Sequence, residues 1–544
     1  MKRLAALLVI LVAISLIFGG CASTGTTKTT TGATTGTTGT TGATSGTTTA
    51  APTAMYPWHE EGVVLTLVRN TDVDITRAGI TSYSEAPGFN EWQERTGITI
   101  DITETADDTA LKLLLASGDL PDIIVAQRAF YTGGQLKMAE DGLAIPLTDH
   151  FPELAPDFWQ FINSDQIYLD SLRQADGEIY CFQGFFLKDS PYRSWRGMMV
   201  RQDFLDQVNL DPPTTIDEFT AMLRAFKDEL EVEIPLIAFS TNFPRMLSDG
   251  NLTAAFGLPK SEGYQVDGVY HFGAYEPAYK EALAYLNMLY NEDLMDKNFA
   301  VTDEPTAQSS VMEGKSGAIY AAASRILNMT SAVNDGVFKL TGLPPFTKNK
   351  GEVAISGMTD PVMVSSASWI TEDCDNVEAA CAFLNYMYTE DGNMLYNFGI
   401  EGESFEYVGG VPTFTELMTK NPDGYSLDPM IRKYGILNFS GVQDLDMSAQ
   451  RFPLQEQVDA YAAWSSHTAD KYNIVNSSIL AQYINEEATL WTDIDTYIKE
   501  MRAKFISGQE PLSNYDAYIA TLKSMGMDRL IEIRQLSLDA AEGK

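Results

Sequence analysis

The sequence predicts an α/β protein built from two lobes. Short strands alternate with amphipathic helices along the chain, and this alternation starts a second time after Gly177. The part of the chain that begins near Met55 has roughly 490 residues, enough for two or three domains of about 150 residues each. Because 44% of the residues are hydrophobic, these domains can bury a large core.

A β-α-β-α-β series predicts the first lobe. Val63 to Arg69 is an apolar run with β-branched residues, and Ile98 to Ile102 alternates with period two, so both predict strands with a helix between them. Asp107 to Ser117 carries leucines at helical spacing, and Ile123 to Val125 predicts the third strand. Strands that alternate with helices indicate a largely parallel sheet covered by helices on both faces.

The second lobe repeats this pattern. Glu178 to Cys181 and Met198 to Arg201 predict strands, and Thr215 with Glu218 forms a capping box that opens a helix. Leu236 to Phe239 predicts the strand that follows this helix. The remaining predicted elements are a helix around Ala282 to Tyr290, strands near Ala318 to Ala321 and Pro361 to Val364, and a long amphipathic helix from Leu490 to Phe505.

The first residues predict a secretory signal. A basic start is followed by an apolar run from Leu4 to Phe18, which is too short for a comfortable membrane span, and by Gly19-Gly20-Cys21. The segment resembles a bacterial lipoprotein signal, 1–20, whose removal leaves Cys21 as the acylated first residue, carrying palmitate. Phe18 stands where that signal usually has Leu, and plain secretion is the alternative.

Residues 21–54 predict a flexible tether that starts with the lipidated cysteine. Thr, Gly and Ala dominate this segment, its only charged residue is Lys28, and no large apolar residue occurs before Met55. Such a segment buries too little apolar surface to offset the entropy of ordering. We therefore expect a flexible linker that holds the folded part of the chain near a membrane.

The net charge of the chain argues against anionic partners. Its 74 Asp and Glu residues against 37 Lys and Arg residues give a charge of −37, which repels phosphate backbones and anionic membrane surfaces. We therefore expect no nucleic acid partner, and membrane contact only through the lipid on Cys21. After Phe18, no apolar run approaches the roughly 20 residues that a spanning helix needs.

Cysteine usage predicts no disulfide framework. Apart from Cys21 the chain has Cys181, Cys374 and Cys381, an odd number that cannot all pair within one molecule. Cys381 lies on an apolar stripe at helical spacing, so we expect it in the core. A bridge between Cys374 and Cys381 is the alternative.

Several short segments, in a consistent order, resemble one protein family. The segment Ala116 to Ile124, ASGDLPDII, is similar to the hallmark of extracellular solute-binding proteins that feed carbohydrate ABC importers. Further similar segments are Gly177–Tyr180, Val200–Leu205, Asp211–Phe219, Gly314–Ala318, Asn397–Glu403, Phe505–Gly508 and Met525–Asp528. The last three resemble the large oligosaccharide-type lipoprotein branch, which usually has His-Tyr where this chain has Ser404-Phe405.

The resemblance implies a two-lobed, periplasmic-binding-protein-like fold of type II, in which a hinge joins lobes with central sheets flanked by helices. Lobe 1 would comprise 60–183 and 326–365, and lobe 2 would comprise 186–322 and 370–544. The protein would be a monomer that captures an oligosaccharide in the inter-lobe cleft and delivers it to the permease subunits of an ABC importer. It would have no catalytic residue, no cofactor and no metal. Its place would be extracytoplasmic, on the outer face of the cytoplasmic membrane or in a periplasm.

The ends of the predicted strands give candidate ligand contacts. Ligands collect at the carboxyl ends of parallel strands, and a sugar pairs its hydroxyls with polar groups while its C–H faces lie on aromatic rings. The polar candidates are Asn70, Asp72, Arg128, Gln183, Asn242, Ser324 and Arg325. The aromatic candidates are Trp92, Phe185, Trp195 and Trp369. For each, the alternative is a structural role, in the core for the rings and as a cap or turn former for the polar side chains.

Two other function classes stay open, a surface carbohydrate-active enzyme and a receptor for peptides or another small solute. The histidines, His59, His150, His271 and His467, are far apart and form no H-E-x-x-H pattern, and no G-x-S-x-G motif occurs. A glycosidase needs only two carboxylates about 5 to 10 Å apart, and an acidic chain offers many pairs. The sequence therefore favours a receptor without excluding catalysis.

Overall fold

Two mixed β-sheets, each with its own hydrophobic core, organise the computed structural model of the chain. The structure describes residues 55–357, 362–467, 470–475 and 478–541, which belong to one unit, Ala54–Lys544. The predicted signal peptide, Cys21 and the tether lie outside the described residues.

Strands and helices alternate through both halves of the chain. The strands are β1 Val64–Asn70, β2 Thr99–Thr105, β3 Ile123–Gln127, β4 Phe182–Phe186, β5 Arg196–Arg201, β6 Ile234–Ile237, β7 Gly263–Val266, β8 Val269–Phe272, β9 Ser316–Ala322, β10 Leu340–Leu343, β11 Met363–Ile370, β12 Phe405–Val408, β13 Val411–Phe414 and β14 Val442–Gln443. The α-helices are α1 Val73–Arg77, α2 Pro87–Thr96, α3 Asp108–Leu115, α4 Gly134–Glu140, α5 Phe151–Leu154, α6 Pro156–Ile162, α7 Gln166–Leu172, α8 Gln202–Val208, α9 Ile216–Leu230, α10 Phe243–Ser248, α11 Pro277–Asn291, α12 Glu304–Met312, α13 Ser324–Val333, α14 Val377–Asn385, α15 Glu390–Phe398, α16 Glu416–Thr419, α17 Leu427–Tyr434, α18 Leu445–Arg451, α19 Gln455–Trp464, α20 Ile484–Ser507, α21 Tyr515–Ser524 and α22 Met527–Ala541.

The first sheet has the strand order β14-β4-β11-β3-β1-β2. Strand β1 pairs in parallel with β2 and β3, as the β-α-β-α-β series predicts. Strand β11 runs antiparallel to both β3 and β4, so the sheet is mixed rather than parallel throughout. Helices α2 and α14 share a core with this sheet, and within it the indole of Trp92 in α2 stacks on Phe383 of α14, with ring centroids 3.8 Å apart.

The second sheet has the strand order β10-β5-β9-β6. Strand β5 is antiparallel to β9 and β10, and β6 is parallel to β9. The predicted capping box of α9 is confirmed, because the Thr215 hydroxyl accepts from the Glu218 N–H at 3.2 Å and the Glu218 carboxylate accepts from the Thr215 N–H at 3.2 Å. The apolar face of α9 that follows this cap is buried in the second core.

Three C-terminal helices, α20, α21 and α22, complete the second core. The predicted long helix is confirmed as α20, and the amide of Asn287 in α11 donates to the carbonyls of Phe505 and Ile506 at its end, both at 3.1 Å. Within the described residues, no helix has the length and apolarity that crossing a membrane would require.

One predicted strand is wrong. Residues Glu178 to Cys181 form no strand, and β4 begins only at Phe182. Ile179 is buried, but its backbone bonds to the hydroxyl of Thr148 and to the N–H of Leu147, which belong to a loop and not to a neighbouring strand. The apolar residues of this segment are buried, which is why the pattern predicts a strand, but their backbone does not pair with a neighbouring strand.

The structure divides the chain between the two cores differently from the predicted lobe boundaries. Strand β10 lies in the second sheet beside β5, although 326–365 was assigned to lobe 1. Residues from Cys374 to Met447 pack in the first core, although 370–544 was assigned to lobe 2. Both differences arise because β11, between these segments, returns the chain from the second sheet to the first.

The cysteines of the described residues are unpaired. Cys181, Cys374 and Cys381 are buried and free, so the structure contains no Cys374–Cys381 bridge. Burial, followed by the charge of the nearby Asp122, raises the pKa of Cys374 to about 12. Cys381 is a core residue, as its position on the apolar stripe predicts.

Candidate functional site

A cavity of about 380 Å³ lies between the two sheets, and both halves of the fold line it. From the first sheet and its helices come Phe186, Met363, Val364, Ser366, Arg432, Leu437, Asn438, Gln443, Ser448 and Arg451. From the side of the second sheet come Tyr192, Trp195, Ala322, Ser324, Phe452 and Tyr461. The cavity therefore lies where β4, β9 and β14 end and where β11 begins.

An aromatic wall, formed by Tyr192, Phe452 and Tyr461, lies on the second-sheet side of the cavity. The Tyr192 and Phe452 rings stack with centroids 5.4 Å apart, and Tyr461 lies within 5 Å of both rings, at 4.9 and 4.7 Å. Tyr461 also packs on Trp464, which is fully buried beneath it. Because the rings hold one another in place, the wall presents a fixed apolar surface to the cavity.

Polar side chains on both sides are available to a ligand. Ser324 begins α13 on one side, and Ser366 and Gln443 lie on the other. None of these three side chains hydrogen-bonds to any residue that the structure describes. Two hydroxyls and one amide therefore keep their hydrogen-bonding capacity for a molecule that fills the cavity.

Arg451 is held at the cavity by a carboxylate behind it. Its Nε and Nη2 donate to the two carboxylate oxygens of Asp428, at 2.8 and 3.1 Å. Burial alone would raise the pKa of Asp428, but the charge and hydrogen bonds of Arg451 lower that pKa below its ordinary value. This bidentate ion pair fixes the orientation of the guanidinium.

A second arginine is positioned in a similar way. Nε of Arg432 lies 3.1 Å from a carboxylate oxygen of Asp74, and its Nη1 lies 3.7 Å from Asp72. Asp72 also accepts hydrogen bonds from the Tyr83 hydroxyl, at 2.9 Å, and from the amide of Asn438. The two Asp residues of the α1 region thus orient two lining side chains.

No metal centre is formed within the described ranges. There, no group of three or more His, Cys, Asp or Glu side chains is arranged to hold a metal ion.

Comparison with known proteins identifies the family. A family model described as bacterial extracellular solute-binding protein matches residues 77–394, more than half of the chain. The chain belongs to this family. Among curated relatives, lipoprotein LipO of Bacillus subtilis is 24% identical over 474 residues, covering 82% of this chain and 88% of LipO.

Two further comparisons concern a second curated relative and a solved structure. FusA of Streptococcus pneumoniae, a fructooligosaccharide ABC transporter substrate-binding protein, is 23% identical over 489 residues. The alignment covers 82% of this chain and 85% of FusA. The crystal structure of the alginate-binding protein AlgQ2 without calcium ion superimposes with a TM-score of 0.69 at 19% identity, covering 89% of this chain and 99% of AlgQ2. The similarity to AlgQ2 confirms the two-lobed α/β fold of this solute-binding protein.

Four of the predicted site residues lie at or beside the cavity of this solute-binding protein. Trp195 and Ser324 line it. Asp72 lies behind Arg432 and Asn438, as described above. Arg128 follows the end of β3, and its guanidinium contacts the sulfur of Met363, a lining residue.

Four other candidates are core residues, so their predicted ligand contacts are corrected. The side chains of Trp92, Phe185, Trp369 and Gln183 have no exposed surface. The indole N–H of Trp92 donates to the carbonyl of Phe383 at 3.1 Å, and the amide of Gln183 donates to the carbonyls of Val364 and Ser366, tying β4 to β11. These side chains fill or connect the first core instead of facing a solute.

The remaining candidates are paired away from the cavity. The Asn70 amide donates to Asp108 at 2.6 Å and accepts from the Thr105 hydroxyl at 2.7 Å. Asn242 donates to the carbonyl of Tyr320 at 3.4 Å, and Nε of Arg325 donates to Glu304 at 2.6 Å. None of the three lines the cavity.

Most of the lining residues are not among the candidates that the sequence predicts. Phe186 directly follows the candidate Phe185 in β4, and adjacent strand residues face opposite sides, so the candidate lies one residue from a lining residue but on the wrong face. Arg432, Asn438, Arg451, Phe452 and Tyr461 lie in the segment from α17 to α19. No strand was predicted there, so a search of strand ends could not find them.

The departure from the family pattern at Ser404-Phe405 has a structural explanation. The Ser404 hydroxyl donates to the carbonyl of Phe398 and accepts from the N–H of Ile400, both at 2.7 Å. Phe405 is buried, with its ring centroid 5.7 Å from that of Phe398. Both residues hold the β12–β13 hairpin against α15 and do not line the cavity.

Proposed function

We propose that this solute-binding protein captures an oligosaccharide in the cavity between its two sheets and delivers it to the permease of an ABC importer. The lining is the observation that carries this proposal, because it combines an aromatic wall with polar side chains that have no partner among the described residues. Sugars present C–H faces to aromatic rings and hydroxyls to polar groups. The cavity offers both kinds of surface.

The names of related proteins support the same class of solute. FusA, which aligns with 82% of this chain, is named as a substrate-binding protein for fructooligosaccharides. At 23% identity, FusA supports an oligosaccharide as the solute but does not support one particular sugar.

Binding would close the cavity, because its lining comes from both halves of the fold. A solute that contacts Phe186 and Gln443 on one side and Trp195 and Tyr461 on the other binds the closed arrangement more tightly than the open one. Only such differential affinity can shift the population towards the closed form. The closed form would be the one that the permease recognises.

The proposal places the protein outside the cytoplasm, tethered to the membrane through a lipid on Cys21 and acting as a monomer. The sequence of residues 1–54 supports this part of the proposal. LipO, a relative over 82% of this chain, is named as a lipoprotein.

Binding without catalysis is the expected activity. Glycoside hydrolysis commonly needs two carboxyl groups beside the scissile bond. The described residues that line the cavity include no Asp and no Glu. The purified chain should therefore leave a bound oligosaccharide intact.

A ligand screen tests the proposal. We expect oligosaccharides, but not peptides, to raise the Tm of the purified chain in a thermal-shift assay, without new reducing ends. The substitution Ser324→Trp, which fills the cavity, should abolish this shift, whereas Ser331→Trp, at an exposed position of the same helix, should preserve it. New reducing ends would show an enzyme, and a shift with peptides alone would refute the sugar assignment.

A further inference from the structure

The charge of the cavity lining is opposite to that of the whole chain. The chain carries a net charge of −37, yet its described lining residues include Arg432 and Arg451 and no Asp or Glu. The carboxylates that pair with these arginines, on Asp72, Asp74 and Asp428, lie outside the lining. Among the described lining residues, a solute therefore meets guanidinium groups directly and meets no carboxylate.

Both lining arginines keep donors that the protein does not use. Arg451 gives Nε and Nη2 to Asp428, and its Nη1 has no acceptor among the residues that the structure describes. Arg432 directs Nε and Nη1 towards Asp74 and Asp72, which leaves Nη2 without a partner in the same described ranges. The ion pairs thus hold each guanidinium in place, while one nitrogen of each remains available to donate hydrogen bonds to a solute.

Arg128 carries a third guanidinium beside the cavity, and it has no counterion among the residues that the structure describes. Its one hydrogen-bonding contact within the described part of the chain is the sulfur of Met363, and no carboxylate there pairs with it. Gln127, the preceding residue, pairs in the sheet with Ser366, so Arg128 lies beside two lining residues, Met363 and Ser366. Burial lowers the pKa of Arg128, the direction expected for a guanidinium that loses contact with water.

A half-buried guanidinium without a carboxylate partner is costly for a folded protein, and a bound anion would reduce that cost. The planar guanidinium fork matches a carboxylate and forms strong, charge-assisted hydrogen bonds with it. A neutral sugar would leave the charge of Arg128 uncompensated. The arrangement of three arginines therefore favours a solute that brings its own negative charge.

We propose that the solute is an acidic oligosaccharide containing uronic acid residues, and that Arg128, with the free nitrogens of Arg432 and Arg451, binds its carboxylates. This inference rests on the proposed function and narrows the class of solute. It also explains how a chain of charge −37 can accept an anion, because the described residues that line the cavity carry two arginines and no carboxylate.

Matched pairs of ligands test the inference. Oligogalacturonates and mannuronate–guluronate oligomers are each compared with their own methyl esters by isothermal titration calorimetry, beside a panel of neutral oligosaccharides. Methyl esterification removes the charge and keeps the sugar ring. We expect at least one acidic oligomer to bind at least about tenfold more tightly than its methyl ester. High salt should reduce this difference in affinity.

Substitutions at Arg128 test whether this residue recognises the negative charge of the solute. Arg128→Gln should weaken binding of the acidic oligomer about tenfold and leave the affinity for its ester unchanged, whereas Arg128→Lys should keep part of the preference. Arg325→Gln, which removes an arginine outside the cavity, is the matched control and should change neither affinity. If Arg128→Gln does not fold, the comparison of acid and ester with the natural chain decides the question.

The outcomes separate the two proposals. Tight binding of a neutral oligosaccharide, or equal affinity for acid and ester, would overturn the acidic solute and leave the proposed function standing. No binding of any acidic or neutral oligosaccharide would overturn both, as would binding of acidic peptides alone.

Discussion

Trp195 is the side chain whose surroundings best match a sugar platform. It lines the cavity and is 38% exposed, although tryptophan is usually more deeply buried. The guanidinium of Arg196 lies 4.1 Å from the centre of its ring, which holds the indole in position by a cation–π contact. A ring that is supported and still exposed can bind a solute without reorganising the core.

Replacement of Trp195 should therefore affect binding more than folding. We expect Trp195→Ala to weaken solute binding about tenfold, the effect of losing one aromatic contact worth about 1.4 kcal/mol, with little change in the free energy of unfolding. Titration calorimetry and chemical denaturation measure the two effects. Tyr407→Ala, which removes an exposed ring of the β12–β13 hairpin, is the control, and equal effects of both substitutions would contradict a role for Trp195.

Trp92 should show the opposite behaviour. Its ring is fully buried and stacks on Phe383, so Trp92→Ala should lower the free energy of unfolding by about 3–5 kcal/mol through lost burial and a residual cavity. The protein that remains folded should bind its solute with unchanged affinity. Denaturant melts and titrations on the same sample measure this, and a loss of affinity without destabilisation would show that Trp92 contacts the solute.

Two of the lining residues could be predicted from the sequence, because polar and aromatic residues near the ends of predicted strands are candidate ligand contacts. Trp195 and Ser324 were found in this way. Phe186 was missed in favour of Phe185 because the sequence does not show which face of β4 the second half of the protein covers. That choice depends on contacts between distant segments, which local periodicity does not encode.

Helix α9 shows how a local signal determines an element. Thr215 caps its first turn and the Glu218 carboxylate caps the preceding backbone. The pKa of Glu218 is lowered to about 2 from its ordinary 4.5, chiefly by a hydrogen bond from the backbone N–H of Thr214. Burial opposes this effect, while Lys350 and the Thr214 hydroxyl add to it. The ionised form is therefore the one that the native helix stabilises.

This cap makes a prediction about stability in acid. Because the pKa of Glu218 is lower in the folded than in the unfolded state, its contribution is complete above pH 4.5 and is lost as the pH falls towards about 2. The difference in free energy of unfolding between the natural chain and Glu218→Gln should therefore shrink between about pH 6 and about pH 3. Denaturant melts across this range measure it.

Glu229→Gln, at an exposed position near the other end of α9, serves as the control for removing a carboxylate from this helix. A difference between Glu218→Gln and the natural chain that is independent of pH would contradict the account of the cap.

The predicted elements that the structure confirms are those whose sequence signals lie within a single segment of the chain. The three strands β1, β2 and β3 and the helices α9 and α20 each carry periodic or capping signals within one segment. The antiparallel course of β11 and the packing of β10 beside β5 depend on partners more than a hundred residues away. Sequence patterns predict the individual strands and helices, whereas the structure shows which strands belong to which sheet.

At the scale of the whole molecule, the chain crosses twice between its two larger sheets, and the cavity described above lies between them. The chain passes from the first sheet to the second between β4 and β5, and returns between β10 and β11. The cavity lies beside these connections, with Trp195 from the first crossing and Met363 at the end of the second. Such crossing segments can act as hinges, so a solute bound between the sheets would change their relative position.

The most direct test of this account is small-angle X-ray scattering of the purified chain, with and without a saturating oligosaccharide identified in the ligand screen. Closure around the solute should reduce the radius of gyration, and Ser324→Trp should abolish the change together with binding. An oligosaccharide that binds fully and leaves the scattering curve unchanged would contradict capture by closure of the two halves.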